Sequence, residues 1–133
     1  MIEQNKALSI DRKIALNPLT DKDLGVLRQV QGLGINNVAL SFAHRASDIE
    51  KVREVAGSGV KITAKIECIE GLSNLDKIVR EADDILIDRG DLSREASIER
   101  IPVLQKEIIS KCHSLDKRVY VATNLLESMV ESP

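Results

Sequence analysis

The chain has 133 residues, with 19 basic against 21 acidic side chains and a net charge of −2. That is long enough for one domain with a real core, and it leaves no basic footprint for nucleic acid and no polybasic patch for a membrane. Phe42 and Tyr120 are the only aromatic residues, too few for a base-stacking platform. No apolar run reaches membrane-spanning length, and the opening MIEQNKALSIDRK has no apolar signal region. Cys68 and Cys112 lie far apart without metal-ligand spacing, which predicts reduced thiols in a cytoplasmic protein.

Residues 1–18 are polar and irregular and read as a lead-in, with at most one short extended piece. Thr20 then has the character of a helix N-cap, followed by Asp21 and Asp23 in the first turn and an apolar face of Leu24, Leu27 and Val30, with Gly32 and Gly34 as the stop. Asn37–Phe42 is a continuous apolar strand of the kind buried on both faces. Ser47-Asp48 is placed to cap the next helix, whose inner face is Ile49, Val52 and Val55 and whose end is marked by Gly57 and Gly59. A strand over Lys61–Ile66 follows. Next come a helix face of Leu72, Leu75, Ile78 and Val79, and a third strand over Asp84–Ile87. A polar loop, Leu92 to Glu99, precedes a helix from about Arg100 to His113, with Pro102 in its first turn. Arg118–Ala122 is the fourth strand, and a further helix begins at Leu125.

Strands alternating with helices imply an α/β fold with a parallel sheet and right-handed crossovers. Four such strands suit either an open sheet or half of a (β/α)₈ barrel, and periodicity does not separate the two. In both, the C-terminal ends of adjacent strands lie side by side. The strand ending in Lys65-Ile66-Glu67 and the strand ending in Arg89-Gly90-Asp91 therefore deliver a lysine, a glutamate and an aspartate to one rim. Two carboxylates there can hold a divalent hard cation, and the lysine can meet developing negative charge. The plainer alternative is a salt bridge between Lys65 and Glu67.

Lys65-Ile66-Glu67, Glu70-Gly71, Asn74-Leu75-Asp76-x-Ile78 and Arg89-Gly90-Asp91-Leu92 together resemble the barrel of the pyruvate kinase family. Leu19-Thr20-Asp21-Lys22-Asp23, Ser41-Phe42 and Ala46-x-Asp48 upstream fit the same family, as does Ala122-Thr123-x-x-Leu126-Glu127-Ser128-Met129 downstream. The resemblance implies that residues 1–133 are a single partial TIM-barrel domain, corresponding to the fourth through seventh strands. It implies phosphoryl transfer between phosphoenolpyruvate and ADP, with Lys65 neutralising charge on the transferring group. Glu67 and Asp91 would hold Mg²⁺ or Mn²⁺, Gly90 and Asp91 would offer backbone N–H groups to an anion, and Thr123 would lie near the reacting carbon. K⁺ belongs to the complete family enzyme, whose segments for it and for the nucleotide do not occur in this sequence. An inactive isolated chain is therefore expected, and its bare strand edges predict self-association or pairing with the remainder of a barrel.

The sequence departs from the family pattern at four positions. Asp88 stands where a small apolar residue usually precedes Arg-Gly-Asp, and Ser93 follows Asp-Leu in place of glycine. Cys68 and Asn124 replace an asparagine and a glutamine. Gly90-Asp91-Leu92-Ser93 is also similar to the ending used by Mg²⁺-dependent carbon–carbon lyases of the phosphoenolpyruvate/pyruvate superfamily. A lyase and a non-catalytic module are accordingly the alternatives to the phosphotransferase.

Overall fold

A computed structural model describes residues 17–123. The lead-in up to residue 16, Asn124 and the expected final helix lie outside the described residues. Helix α1 spans Asp21–Leu27, with Thr20 as its cap: the Asp23 N–H donates to Thr20 Oγ1 at 3.2 Å, and the Thr20 N–H donates to Asp23 Oδ2 at 2.9 Å. This reciprocal box satisfies two helix-end donors at once. The helix closes at Leu27, earlier than the glycines suggest. Val30 lies beyond it in a run of turns and is buried against Ala56 and Val60.

Strand β1 is Asn37–Leu40, two residues shorter than expected, because the chain turns at Phe42 with a left-handed φ of 49°. Helix α2, Ala46–Ala56, starts one residue before the expected Ser47-Asp48 cap. Asp48 sits inside its first turn, where Oδ2 accepts the N–H groups of His44 and Arg45 at 3.0 and 2.9 Å. Gly57 ends α2 as expected. After β2, Lys61–Ile66, the expected single helix is two pieces, α3 (Ile69–Ser73) and α4 (Leu75–Glu81). The break is at Asn74, whose side-chain amide donates to the carbonyls of His44 (2.9 Å) and Glu70 (3.1 Å) and holds the backbone out of helical geometry.

Strand β3, Asp84–Asp88, runs into the short turn of helix α5, Arg89–Leu92. The stretch after it is less polar in its role than in its composition: Leu92 and Ala96 are buried with Ile101 and Leu104 in a small second core. Helix α6 covers Ile101–Ser114 with Pro102 in its first turn, and β4 covers Arg118–Ala122. Leu104, Ile108 and Cys112 are buried on α6, and burial pushes the Cys112 thiol up to about 11.

All four strands are parallel and lie in the order β1-β2-β3-β4. That order resolves the two closures. Successive right-handed crossovers stepping the same way put every helix on one face, and a sheet wound so is a segment of a (β/α)₈ barrel. The alternation along β2 and β3 agrees. Ile62, Ala64, Ile66, Ile85 and Ile87 point into the helix layer and are fully buried, with Ile49, Ile78, Val79, Ile108 and Cys112 facing them. Thr63, Lys65, Leu86 and Tyr120 alternate to the opposite face, which is the inner face of a barrel.

Candidate functional site

The register brings the site together. Lys65 and Glu67 are two residues apart and so share the inner face at the end of β2. The last β2–β3 pair is Ile66 with Ile87, which sets Glu67 beside Asp88 at the next step. Asp88 in turn pairs with Ala122, and Thr123 follows it. Three consecutive strand ends thus supply Lys65, Glu67, Asp88 and Thr123, while α5 supplies Gly90 and Asp91.

Glu67 is 1% exposed, and the carboxylate is held from two sides. Oε1 lies 2.6 Å from Lys65 Nζ, and Oε2 accepts the backbone N–H of Phe42 at 2.5 Å. The left-handed φ at Phe42 is uncommon for a bulky residue, and it aims that N–H at Glu67. The plainer alternative, a salt bridge between Lys65 and Glu67, is therefore present, and it sits within the acidic cluster. Lys65 is shared: its ammonium is 3.6 Å from Asp88 Oδ2 as well. The Glu67 hydrogen bond, followed by the two negative charges, raises the Lys65 ammonium above its ordinary value and outweighs burial, so the side chain stays cationic.

Asp88 links the strands. Oδ1 accepts the Thr123 hydroxyl at 2.8 Å and the Asp91 N–H at 3.4 Å. Burial works against its charge, but the Thr123 hydroxyl, the Asp91 and Gly90 N–H groups and Lys65 together hold its carboxyl below the usual range. Thr123 has a φ of 73°, a second left-handed non-glycine residue at this rim. Arg89 ties the same corner down by donating to the carbonyls of Ala122 (3.3 Å) and Thr123. Gly90 fits beneath them because it has no side chain: a Cβ there would stand 3.1 Å from Thr123 Cγ2 and 3.4 Å from Asp88 Oδ1. The Ser93 hydroxyl donates back to the Gly90 carbonyl at 2.8 Å, so it braces the turn.

Glu67, Asp88 and Asp91 each place a carboxylate oxygen within 4.8 Å of the others. Ligand oxygens around an octahedral Mg²⁺ at about 2.1 Å stand roughly 3 to 4.2 Å apart, so the set would have to close further, with Glu67 and Asp91 turning from their present partners, to hold a hard cation. The donors are all carboxylate oxygens, as such a cation requires. Every residue named from the sequence is here: Lys65, Glu67, Gly90, Asp91 and Thr123 all converge. Sequence reasoning missed the Phe42 N–H as a partner of Glu67, since no side-chain pattern announces a backbone donor. Asp88, a departure from the family pattern in the sequence, is set beside Glu67 by the β2–β3 register and beside Asp91 by the turn into α5.

A shallow cavity of about 300 Å³ opens beside the cluster, lined by Gly90, Ser93, Ile101 and Thr123 among others. A larger one of about 470 Å³ lies away from it, between α1 and β1, with mostly apolar walls and no part of the cluster. Among the described residues no helix is long and apolar enough to cross a membrane.

The family model for the pyruvate kinase barrel domain matches residues 1–133. Pyruvate kinase from Lactococcus lactis subsp. lactis (strain IL1403) is 41% identical over 140 residues, covering 100% of this chain and 28% of that protein. The pyruvate kinase of Agrobacterium vitis is 43% identical over 118 residues, covering 89% of the chain and 24% of that protein. That of Agaricus bisporus is 39% identical over 123 residues, covering 90% and 23%. The chain thus spans about a quarter of the length of the curated relatives it matches. With a barrel-type sheet and a family match along its whole length, the chain belongs to the pyruvate kinase family, within that family's barrel domain.

Proposed function

We propose that the chain, as one partial-barrel unit over residues 1–133, carries the metal and phosphoenolpyruvate part of a pyruvate kinase site in the cytoplasm. The reaction is phosphoryl transfer between phosphoenolpyruvate and ADP, giving pyruvate and ATP. The observation that carries the reading is the convergence of Lys65, Glu67, Asp91 and Thr123 on one rim of a family-matched sheet. Phosphoryl transfer needs positioned charge more than covalent chemistry, and positioned charge is what the rim supplies.

Glu67 and Asp91 are the residues that would hold Mg²⁺ or Mn²⁺, and an ion there supplies positive charge to substrate oxygens. Lys65 sets a fixed cation beside the transferring phosphoryl group, and the enolate that forms is stabilised by the same ammonium. The Thr123 hydroxyl and the Gly90 and Asp91 N–H groups orient the anion. The matched relatives are pyruvate kinases, which favours this reading over the lyase. The isolated chain lacks the nucleotide and K⁺ segments and does not turn over by itself. Among the described residues β1 and β4 each have a strand neighbour on one side only, and Tyr120 on the inner face is 47% exposed. These edges and this face support self-association or pairing with the remainder of a barrel.

Mn²⁺ titration followed by water-proton relaxation tests the metal. Glu67→Gln and Asp91→Asn each raise the dissociation constant about 10-fold or more, the cost of about 1.4 kcal/mol per decade. The double variant falls far short of additive because one shared site is lost once. Unchanged affinity in both single variants would remove the metal site.

A further inference from the structure

The Asp88 carboxylate lies inside the donor set of the rim. One oxygen takes the Thr123 hydroxyl at 2.8 Å and the Asp91 N–H at 3.4 Å; the other is 3.6 Å from the Lys65 ammonium. These are the donors that the proposed function turns toward an anionic substrate. We propose that Asp88 is a specificity-determining residue whose carboxylate acts as an internal anion in this cradle, so that a phosphate-bearing ligand binds only by displacing it. The inference rests on the proposed reading of Lys65 and Thr123 as substrate donors, and it adds the group that competes for them.

Two further observations support it. The Asp88 side chain is 18% exposed, turned in among the donors and away from solvent. It also bonds across two strand boundaries, to Lys65 on β2 and to Thr123 beyond β4. A residue serving only as the N-cap of α5 needs the Asp91 N–H and nothing else, so capping accounts for one of the three contacts. Two anions sharing one small donor set repel each other, and this sets the expected sign of the effect.

The test titrates inorganic phosphate into the full chain by calorimetry, with and without saturating Mn²⁺, in the wild type and in Asp88→Ala, Asp88→Asn and Asp88→Glu. Asn keeps the shape and the capping acceptor while removing the charge, so a gain shared by Ala and Asn is not an effect of misfolding. Phosphate binds about 10-fold tighter or more in both neutral variants and no tighter in Asp88→Glu. Adding Lys65→Met to Asp88→Ala abolishes the gain. Equal phosphate affinity in wild type, Asp88→Ala and Asp88→Asn overturns the proposal, as does a gain that survives Lys65→Met. Mn²⁺ affinity that falls about 10-fold in Asp88→Ala with no gain in phosphate affinity also overturns it, and makes Asp88 a metal ligand instead. Failure of the metal reading shows separately, as absent Mn²⁺ binding in the wild type, and the metal-free phosphate series still decides the role of Asp88.

Discussion

The two ends of the same parallel sheet treat their charges differently. At the N-terminal end Arg118, Asp84, Asp83, Arg53 and Lys117 are tied to fixed partners. Arg118 forks onto Asp84 at 2.9 and 2.8 Å, joining the first residues of β3 and β4. Asp83 accepts the Ile62 N–H at 2.8 Å and Arg53 at 3.0 Å, and Arg53 also donates to the Glu81 carbonyl at 2.9 Å. Lys117 donates to the Ala82 carbonyl at 2.7 Å. At the C-terminal end three carboxylates crowd within 4.8 Å, one lysine is shared between two of them, and Phe42 and Thr123 hold left-handed backbone. Paired charge at one end fastens strands and helices; crowded charge and strained backbone at the other are arranged for something that binds.

The largest break in this comparison comes from Lys65→Met in a full-length parent enzyme. It lowers the chemical step about 10²–10³-fold, the scale for losing one charge-stabilising donor, while leaving Mn²⁺ affinity within a few-fold. Single-turnover kinetics beside the Mn²⁺ titration measures both, and an unchanged chemical step removes the assigned role. Next comes Asp83→Ala at the opposite end. It leaves the Ile62 N–H without its acceptor, removes the Arg53 ion pair, and lowers stability by about 1–3 kcal/mol in urea unfolding, with no change in Mn²⁺ affinity. If this variant weakens Mn²⁺ as much as Glu67→Gln does, the two ends are not separate in function.

The smallest effect is an acid one, and it sits on neither end. Lys111 and then Arg80 lower the Asp76 carboxyl from its ordinary 3.8 to about 2. A folded value below the unfolded one means that the contribution is fully present above pH 3.8 and is lost as pH falls through about 2. Asp76→Asn should flatten the stability profile slightly between these values; an identical acid limb in the variant would show that the pair contributes nothing.

The sequence was most readable where one period rules. Strands β2 and β4 have the expected bounds, because their limits follow from local apolar runs. The convergence of the candidate residues was readable because parallel pairing delivers strand ends to one rim whatever the strand order. What stayed hidden depends on partners distant in the chain. Asn74 splits a helix through the His44 carbonyl, 30 residues away, and no helical period encodes that acceptor. Phe42 ends β1 by turning its N–H onto Glu67, 25 residues on. Asp88 looked like a misfit to its motif, because its use depends on Thr123, 35 residues later.

Strand order has one more consequence, in time. Neighbours in the sheet are neighbours in the chain, so the links that close each βα unit span only about 20 to 35 residues, as Ile62 to Asp83 and Asp84 to Arg118 do. Short loops lose little entropy on closing, and low contact order goes with fast folding. The sheet can therefore grow one unit at a time, each strand finding an edge already formed by the residues just before it. The acidic rim is laid down along the chain in the same order: Glu67 and its Phe42 donor belong to β2 and β1, Asp88 and Asp91 follow with β3, and the Thr123 hydroxyl comes after β4.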